Sequence, residues 1–273
     1  MKIKIAEHAG LCYGAQRIIS IAQNNGKAYS LGPVLHNEQL VEKLRSKGVE
    51  PLSLDEILKR DPSKVIIRAH GVPVQDLEKL QEKGFKIIDG TCPNVTSVYC
   101  LSEGNEKEGY QIFIFGDKDH PEVEGIVSRL NSPIVVGKIS DIPDQHYDKV
   151  CLVSQTTQIP SAYEEIRKAL SNKCDELKAI ANTICPATHD RQNAAYALAK
   201  EVDIMLVIGG SKSSNTKKLY SICSEINSNT YLIQTEKDLD KRWFLDADYI
   251  GITAGASTPD FVIDSVVSEL KEY

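Results

Sequence analysis

The sequence predicts an α/β protein built from three pseudo-repeated lobes, and two observations carry that expectation. Apolar, strand-sized runs alternate with helical patterns along the 273 residues, as they do where parallel sheets are flanked by helices. The order of elements then recurs three times, each time opening a helix at a cysteine: LCYGAQ with Cys12, TCPNVT with Cys92 and ICPATH with Cys185.

Each opening helix leads into a short strand and a polar loop: KAYSLGPVLHN with His36, YQIFIFGDKDHPE with His120 and Glu122, and DIMLVIGGSKSSN with Ser213, Ser214 and Asn215. A second helix follows (NEQLVEKLRSKG, PEVEGIVSRLNS, TKKLYSICSEIN), then an extended piece (VEPLSL, PIVVGK, TYLIQT) and an acidic connector. A third strand ends in another polar loop: KVIIRAHG with His70, KVCLVSQTT with Thr156 and Thr157, and YIGITAGAST with Ser257. In the first two units a helix and a last strand run into the next cysteine, through FKIIDGTC and LKAIANTIC. The third has its helix but no such strand, whereas KIKIAEHAGLC at the N-terminus has the required pattern and ends at Cys12. The expected lobes are therefore 13–92, 93–182 and 183–273, the last completed by 1–12, so that the ring closes on itself.

Composition is that of an ordinary globular chain, 41% hydrophobic and 26% charged, which excludes disordered, collagen-like and coiled-coil classes. Lys and Arg number 32 against 38 Asp and Glu, a net charge of −6 with no basic stripe. Nucleic acid is excluded as a partner on that ground. The longest apolar runs are strand-sized and MKIKIAEHAG carries no signal-peptide core, so a soluble cytoplasmic protein without a membrane span is expected.

Seven scattered cysteines with no Cys-x-x-Cys pair argue against a disulfide framework or a zinc ribbon. Cys12, Cys92 and Cys185 share one strand-to-helix position, where a helix N-terminus favours thiolate. Three such thiolates suit zinc or an iron-sulfur cluster. Cys100, Cys151, Cys174 and Cys223 have no counterparts and read as small buried hydrophobes. Spacing supports the equivalence: Cys12 to His36 is 24 residues, Cys92 to His120 and Cys185 to Ser213 both 28. Loops beyond the carboxyl ends of parallel strands are where α/β proteins bind ligands. GGSKSSN and TAGAST are small-residue loops entering helices, able to surround an anion with N–H groups and hydroxyls. Glu122, just after Pro121, reads either as a first-turn carboxylate complementing the helix dipole or as a proton relay at the site.

LCYGAQR, RAHGVP, DGTCPNV, DHPEVEG, SQTT, ICPATHDRQ, GGSKSSN and GITAGASTPD together resemble, in order and spacing, the motifs of the 4-hydroxy-3-methylbut-2-enyl diphosphate reductases, the IspH/LytB family. The likeness runs from Cys12 to Asp260. It implies a three-lobed α/β trefoil around a central 4Fe-4S cluster held by Cys12, Cys92 and Cys185, with one iron open to the substrate's allylic hydroxyl. It implies diphosphate binding by His36, His70, Ser213, Ser214, Asn215 and Ser257, with His120 lining the pocket, Thr156 near the hydroxyl and Glu122 delivering protons. The implied reaction is a two-electron reductive dehydroxylation giving isopentenyl and dimethylallyl diphosphate, the last step of the methylerythritol phosphate route. No nicotinamide fingerprint is present, so electrons are expected from an external ferredoxin or flavodoxin-like protein. A three-cysteine Lewis-acid enzyme, such as a hydro-lyase or quinolinate synthase, is the rival reading.

Overall fold

A computed structural model describes residues 1–180 and 183–273. The expected lobe boundary at 182 lies outside the described residues. In chain order the elements are β1 (Lys2–Ile5), α1 (Tyr13–Asn24), β2 (Ala28–Leu31), α2 (Glu38–Arg45), β3 (Val49–Leu52), α3 (Leu54–Leu58), β4 (Lys64–Ile67), α4 (Val74–Glu82), β5 (Lys86–Asp89), α5 (Pro93–Lys107), β6 (Gln111–Phe115) and α6 (Pro121–Val127). They continue with β7 (Ile134–Val136), β8 (Tyr147–Ser154), α7 (Pro160–Ser171), β9 (Cys174–Ala179), α8 (Pro186–Ala199), β10 (Ile204–Ile208), α9 (Ser214–Ile226), β11 (Thr230–Ile233), β12 (Tyr249–Ala254) and α10 (Asp260–Leu270).

The strands form three four-stranded parallel sheets with one shared order: β3-β2-β4-β5, β7-β6-β8-β9 and β11-β10-β12-β1. Central strands such as β10, with sequence IMLVI, are buried along their whole length. Such unbroken apolar runs follow from helices covering both faces of a parallel sheet. In the second sheet, Ile112 and Ile114 pack on one side with Val95, Val123 and Ile126, while Phe113, Leu152 and Ile166 pack on the other.

The fourth strand of the last sheet is β1, which pairs with β12 in the register Lys2 to Tyr249 through Ile5 to Ile252. It is an edge strand, largely exposed, with charged Lys2 and Lys4 of the kind that discourage further pairing.

The acidic connectors do the same local work in all three lobes. The Glu56 carboxylate accepts the Ser53 N–H at 2.8 Å. Asp141 accepts the N–H groups of Gly137 and Lys138 at 2.9 and 3.0 Å, and Asp238 those of Gln234 and Thr235 at 2.8 and 3.0 Å. Each carboxylate satisfies amide groups that a helical turn would leave unpaired.

The chain divides into two compact units. One comprises Met1–Gln16, Leu35–Lys43 and Pro186–Tyr273 and holds the β1-containing sheet; the other comprises Arg17–Val34 and Leu44–Cys185 and holds the remaining two sheets. Among the described residues no helix is long and apolar enough to cross a membrane.

Candidate active site

Cys12, Cys92 and Cys185 each stand immediately before a helix, α1, α5 and α8, and all three are half-buried. Their backbones are anchored alike. The Cys12 N–H donates to the Ala256 carbonyl at 3.2 Å, that of Cys92 to Ala69 at 2.9 Å, and that of Cys185 to Thr156 at 3.0 Å. Each acceptor lies in the loop after the third strand of its sheet, so one backbone bond ties every cysteine to the loop carrying Ser257, His70 or Thr156.

The Cys12 and Cys185 sulfurs face N–H donors. The Ala15 amide in the first turn of α1 donates to the Cys12 sulfur at 3.4 Å, and the Asn94 side-chain amide donates to the Cys185 sulfur at 3.0 Å. Donors aimed at sulfur suit a negatively charged ligand atom. Asn94 is two residues beyond Cys92, so α5 brings the approaches to two of the three thiols together. Among the described residues no three His, Cys, Asp or Glu side chains are grouped as a ligand set for a single metal ion. Cys12 belongs to one compact unit, Cys92 and Cys185 to the other.

The remaining thiols separate into three environments. Cys151 and Cys223 are fully buried, and burial pushes their pKa values up to about 11 and about 12. Cys174 is half-buried. Cys100 departs from the buried reading: it is exposed, because its place on α5 faces away from the side formed by Val95, Val98 and Tyr99.

In the unit containing β1, His36 and Ser257 lie in loops, and Ser213, Ser214 and Asn215 stand at the start of α9. The His36 backbone packs against Gly210, where a Cβ would overlap the His36 carbonyl, so the GGSKSSN loop can approach it only with glycine at that position. Asn37, the next residue, starts α2 by accepting the Leu40 N–H at 2.8 Å. Ser213 caps α9, its hydroxyl accepting the Thr216 N–H at 3.3 Å, and Lys218 donates to Ser214 at 3.0 Å. Asn215 and Ser257 are 4% and 7% exposed, yet neither polar atom of the Asn215 side chain nor the Ser257 hydroxyl has a hydrogen-bond partner among the described residues. Buried polar atoms are rarely left so, and of these the Asn215 side-chain N–H groups and the Ser257 hydroxyl are able to donate to a ligand oxygen.

In the other unit, Glu122 is 1% exposed. Its carboxylate accepts the Thr156 N–H at 2.6 Å and the Thr156 hydroxyl at 2.8 Å. His120 is the N-cap of α6, its Nδ1 accepting the Glu122 N–H at 3.1 Å, with Pro121 at the first helical position. The His70 and His120 rings meet edge to face, centroids 5.3 Å apart. Glu122 is thus an interior group bound to a hydroxyl, whereas Glu124 is exposed.

Three further residues organise the site. Gln155, fully buried, accepts the Asp117 N–H at 2.9 Å and donates to Thr157 at 3.0 Å, joining the loop before His120 to that of Thr156. Arg191, buried in α8, donates to the carbonyls of Ala187 and Gly10, both at 2.8 Å, steadying the approach to Cys12. Asn94 is the third. Gln155 sits inside the motif SQTT and Asn94 inside TCPN, but neither type recurs at the equivalent positions of the other units, so comparison of the repeats does not point to them.

A family profile described as LytB protein matches residues 3–271. The chain is similar to the 4-hydroxy-3-methylbut-2-enyl diphosphate reductase of Wolinella succinogenes, 45% identical over 276 residues that cover 100% of this chain and 99% of the relative. To the enzyme of the same description from Aquifex aeolicus it is 42% identical over 280 residues, covering 99% and 96%. A solved structure of (E)-4-hydroxy-3-methyl-but-2-enyl diphosphate reductase, described as the terminal enzyme of the non-mevalonate pathway, matches with a TM-score of 0.72 and 41% identity, covering 100% of this chain and 99% of the other. The Plasmodium falciparum E-1-hydroxy-2-methyl-but-2-enyl-4-diphosphate reductase matches with a TM-score of 0.91 and 28% identity, covering 99% and 88%.

Proposed function

The chain belongs to the LytB protein family, and from that premise we infer how its own residues carry the family's chemistry. It is an oxidoreductase that reductively dehydroxylates 4-hydroxy-3-methylbut-2-enyl diphosphate to isopentenyl and dimethylallyl diphosphate, the terminal step of the methylerythritol phosphate route to isoprenoids. Two electrons and two protons enter, the C–O bond to the allylic hydroxyl breaks, and one water leaves.

Cys12, Cys92 and Cys185 would hold a 4Fe-4S cluster. The fit rests on three half-buried thiols at helix starts, two of them facing N–H donors. When bound, the cluster supplies single electrons and a Lewis-acidic iron free of protein sulfur. The electrons come from a separate one-electron donor protein of ferredoxin or flavodoxin type.

The diphosphate is bound by His36, His70, Ser213, Ser214, Asn215 and Ser257, with His120 lining the pocket. Asn215 and Ser257 support this most directly, since an anion's oxygens would take the buried donors that have no partner among the described residues. Such donors bind an anion in an acidic protein without a basic patch. Glu122 and Thr156 work at the hydroxyl end, where a carboxyl beside a hydroxyl can pass a proton to the leaving oxygen.

The observation that carries this reading is the double role of Thr156. Its carbonyl holds the Cys185 backbone while its hydroxyl and N–H hold Glu122, so a proton-carrying pair is fastened directly to a ligand cysteine. Anaerobic purification tests it. A brown protein with iron and sulfide that consumes two electrons per substrate and forms both isoprenyl diphosphates is expected; a colourless protein, or turnover without electron consumption, would overturn it.

A further inference from the structure

We propose that Tyr99 is a positioning residue, holding the His70 loop against the helix that carries Glu122 so that the substrate's anionic end and its proton source keep one spacing. The proposal rests on the roles given above to His70 and Glu122. Tyr99 lies on α5 seven residues after Cys92, two helical turns along. It is 6% exposed, and its hydroxyl donates to the His70 carbonyl at 3.3 Å.

Two glycines make room for that hydroxyl. Gly71, with φ +74°, follows His70, and Gly125 lies in α6 one turn beyond Glu122; a Cβ at either would overlap the phenol oxygen. The space is therefore shaped for tyrosine rather than for an aromatic ring in general.

Arg129 completes the joint. Its guanidinium lies 3.9 Å over the Tyr99 ring and donates to the carbonyls of Val72 at 3.2 Å and Gly125 at 2.5 Å. Ser128 accepts the Val74 N–H at 3.1 Å and donates to Gly125 at 2.9 Å. The loop and α6 are thus fastened on both sides of the phenol. At the other end of the same contact the Cys92 N–H donates to Ala69, so α5 grips the His70 loop at two points. Burial keeps the phenol protonated well beyond the range of working pH. The equivalent positions after Cys12 and Cys185 are Ile19 and Gln192, so this joint is particular to α5.

The test uses the cluster-loaded enzyme with its diphosphate substrate, together with calorimetric titration of inorganic pyrophosphate and thermal melting. Tyr99→Phe keeps the ring and removes the donor, so KM and the pyrophosphate Kd should each rise about two- to tenfold, the worth of one neutral hydrogen bond. Because Arg129 still holds α6, kcat should stay within about twofold. Gly125→Ala should displace the phenol, raise KM and lower the melting temperature. Adding Tyr99→Phe to Gly125→Ala should restore the melting temperature while KM stays high. Should KM instead return to the wild-type value along with the melting temperature, or should Tyr99→Phe alone leave KM and Kd unchanged while His70→Ala raises them, Tyr99 only packs and the proposal is overturned. If His70→Ala itself changes neither, the anion-binding role of His70 falls, and the proposal with it.

Discussion

Both oxygens of the Glu122 carboxylate are engaged by one residue, Thr156, through its N–H at 2.6 Å and its hydroxyl at 2.8 Å. A glutamine can keep this arrangement: its oxygen accepts the N–H, and its amide faces a hydroxyl that turns to accept. Glu122→Gln should therefore fold and bind substrate but lose kcat by about a hundredfold to ten-thousandfold, the usual contribution of a positioned acid. Single-turnover reduction with a chemically reduced cluster measures this without the electron donor as a limit. Exposed Glu124→Gln is the control and should stay near wild type; normal single turnover by Glu122→Gln would return Glu122 to a helix-start carboxylate.

Asn215 should show opposite effects on binding and on stability. With both side-chain polar atoms buried and without a partner among the described residues, it carries a desolvation cost of about 1–3 kcal/mol in the ligand-free protein. Asn215→Ala relieves that cost, so the melting temperature without ligand should hold or rise, while substrate affinity drops about tenfold to a hundredfold. Ser257→Ala should lose affinity likewise. Unchanged affinity in both variants would place the anion elsewhere.

Iron content separates the cysteines. Cys92→Ser should lose most of its iron and its activity, whereas Cys100→Ala, at an exposed position, should keep both. Metal analysis after anaerobic reconstitution decides this, and a Cys92→Ser protein with the full iron complement would remove Cys92 from the ligand set.

The buried thiols predict an alkaline weakness. Cys151 and Cys223 hold their protons in the fold to about pH 11 and about pH 12, whereas an unfolded thiol loses its proton near pH 8.5. Above that pH the native state binds more protons than the unfolded one, so stability is constant below it and falls as pH rises, by up to about 1.4 kcal/mol per pH unit for each thiol. Cys223→Ala should therefore flatten the decline in melting temperature between pH 9 and 10.5, a window taken from those directions. An unchanged slope would show that the thiol is not the source.

Removing residues 1–6 takes away a paired strand. It uncovers the β12 edge, and hydrogen exchange should lose protection at the β12 amides that β1 now covers, with greater aggregation. Retained protection there would mean that β12 does not depend on β1.

Sequence periodicity made the three sheets visible because each repeat writes the same strand order, and the missing last strand of the third unit pointed to KIKI at the N-terminus. The acidic connectors could be seen as connectors, but not that Glu56, Asp141 and Asp238 all bind preceding amides. The site was readable where residue type recurs at one position, as for the cysteines and the small-residue loops. It was not readable for Asn94, whose partner Cys185 lies 91 residues away, or for Tyr99 and Arg129, whose partners His70 and Val72 are 29 and 57 residues distant. Such side chains answer to a neighbouring lobe rather than to their own repeat, so neither period nor symmetry marks them.

The pairing of β1 with β12 also sets a birth order. Lys2 meets Tyr249 across a sequence separation of 247 residues, which a ribosome covers in roughly 12–50 s at ordinary elongation rates. Until Tyr249 is made β1 has no docking edge, whereas the segments Arg17–Val34 and Leu44–Cys185 of the other unit are complete before β12 is. During synthesis β1 is thus a strand without its partner, and its Lys2 and Lys4 are of the kind that discourage pairing with other exposed edges.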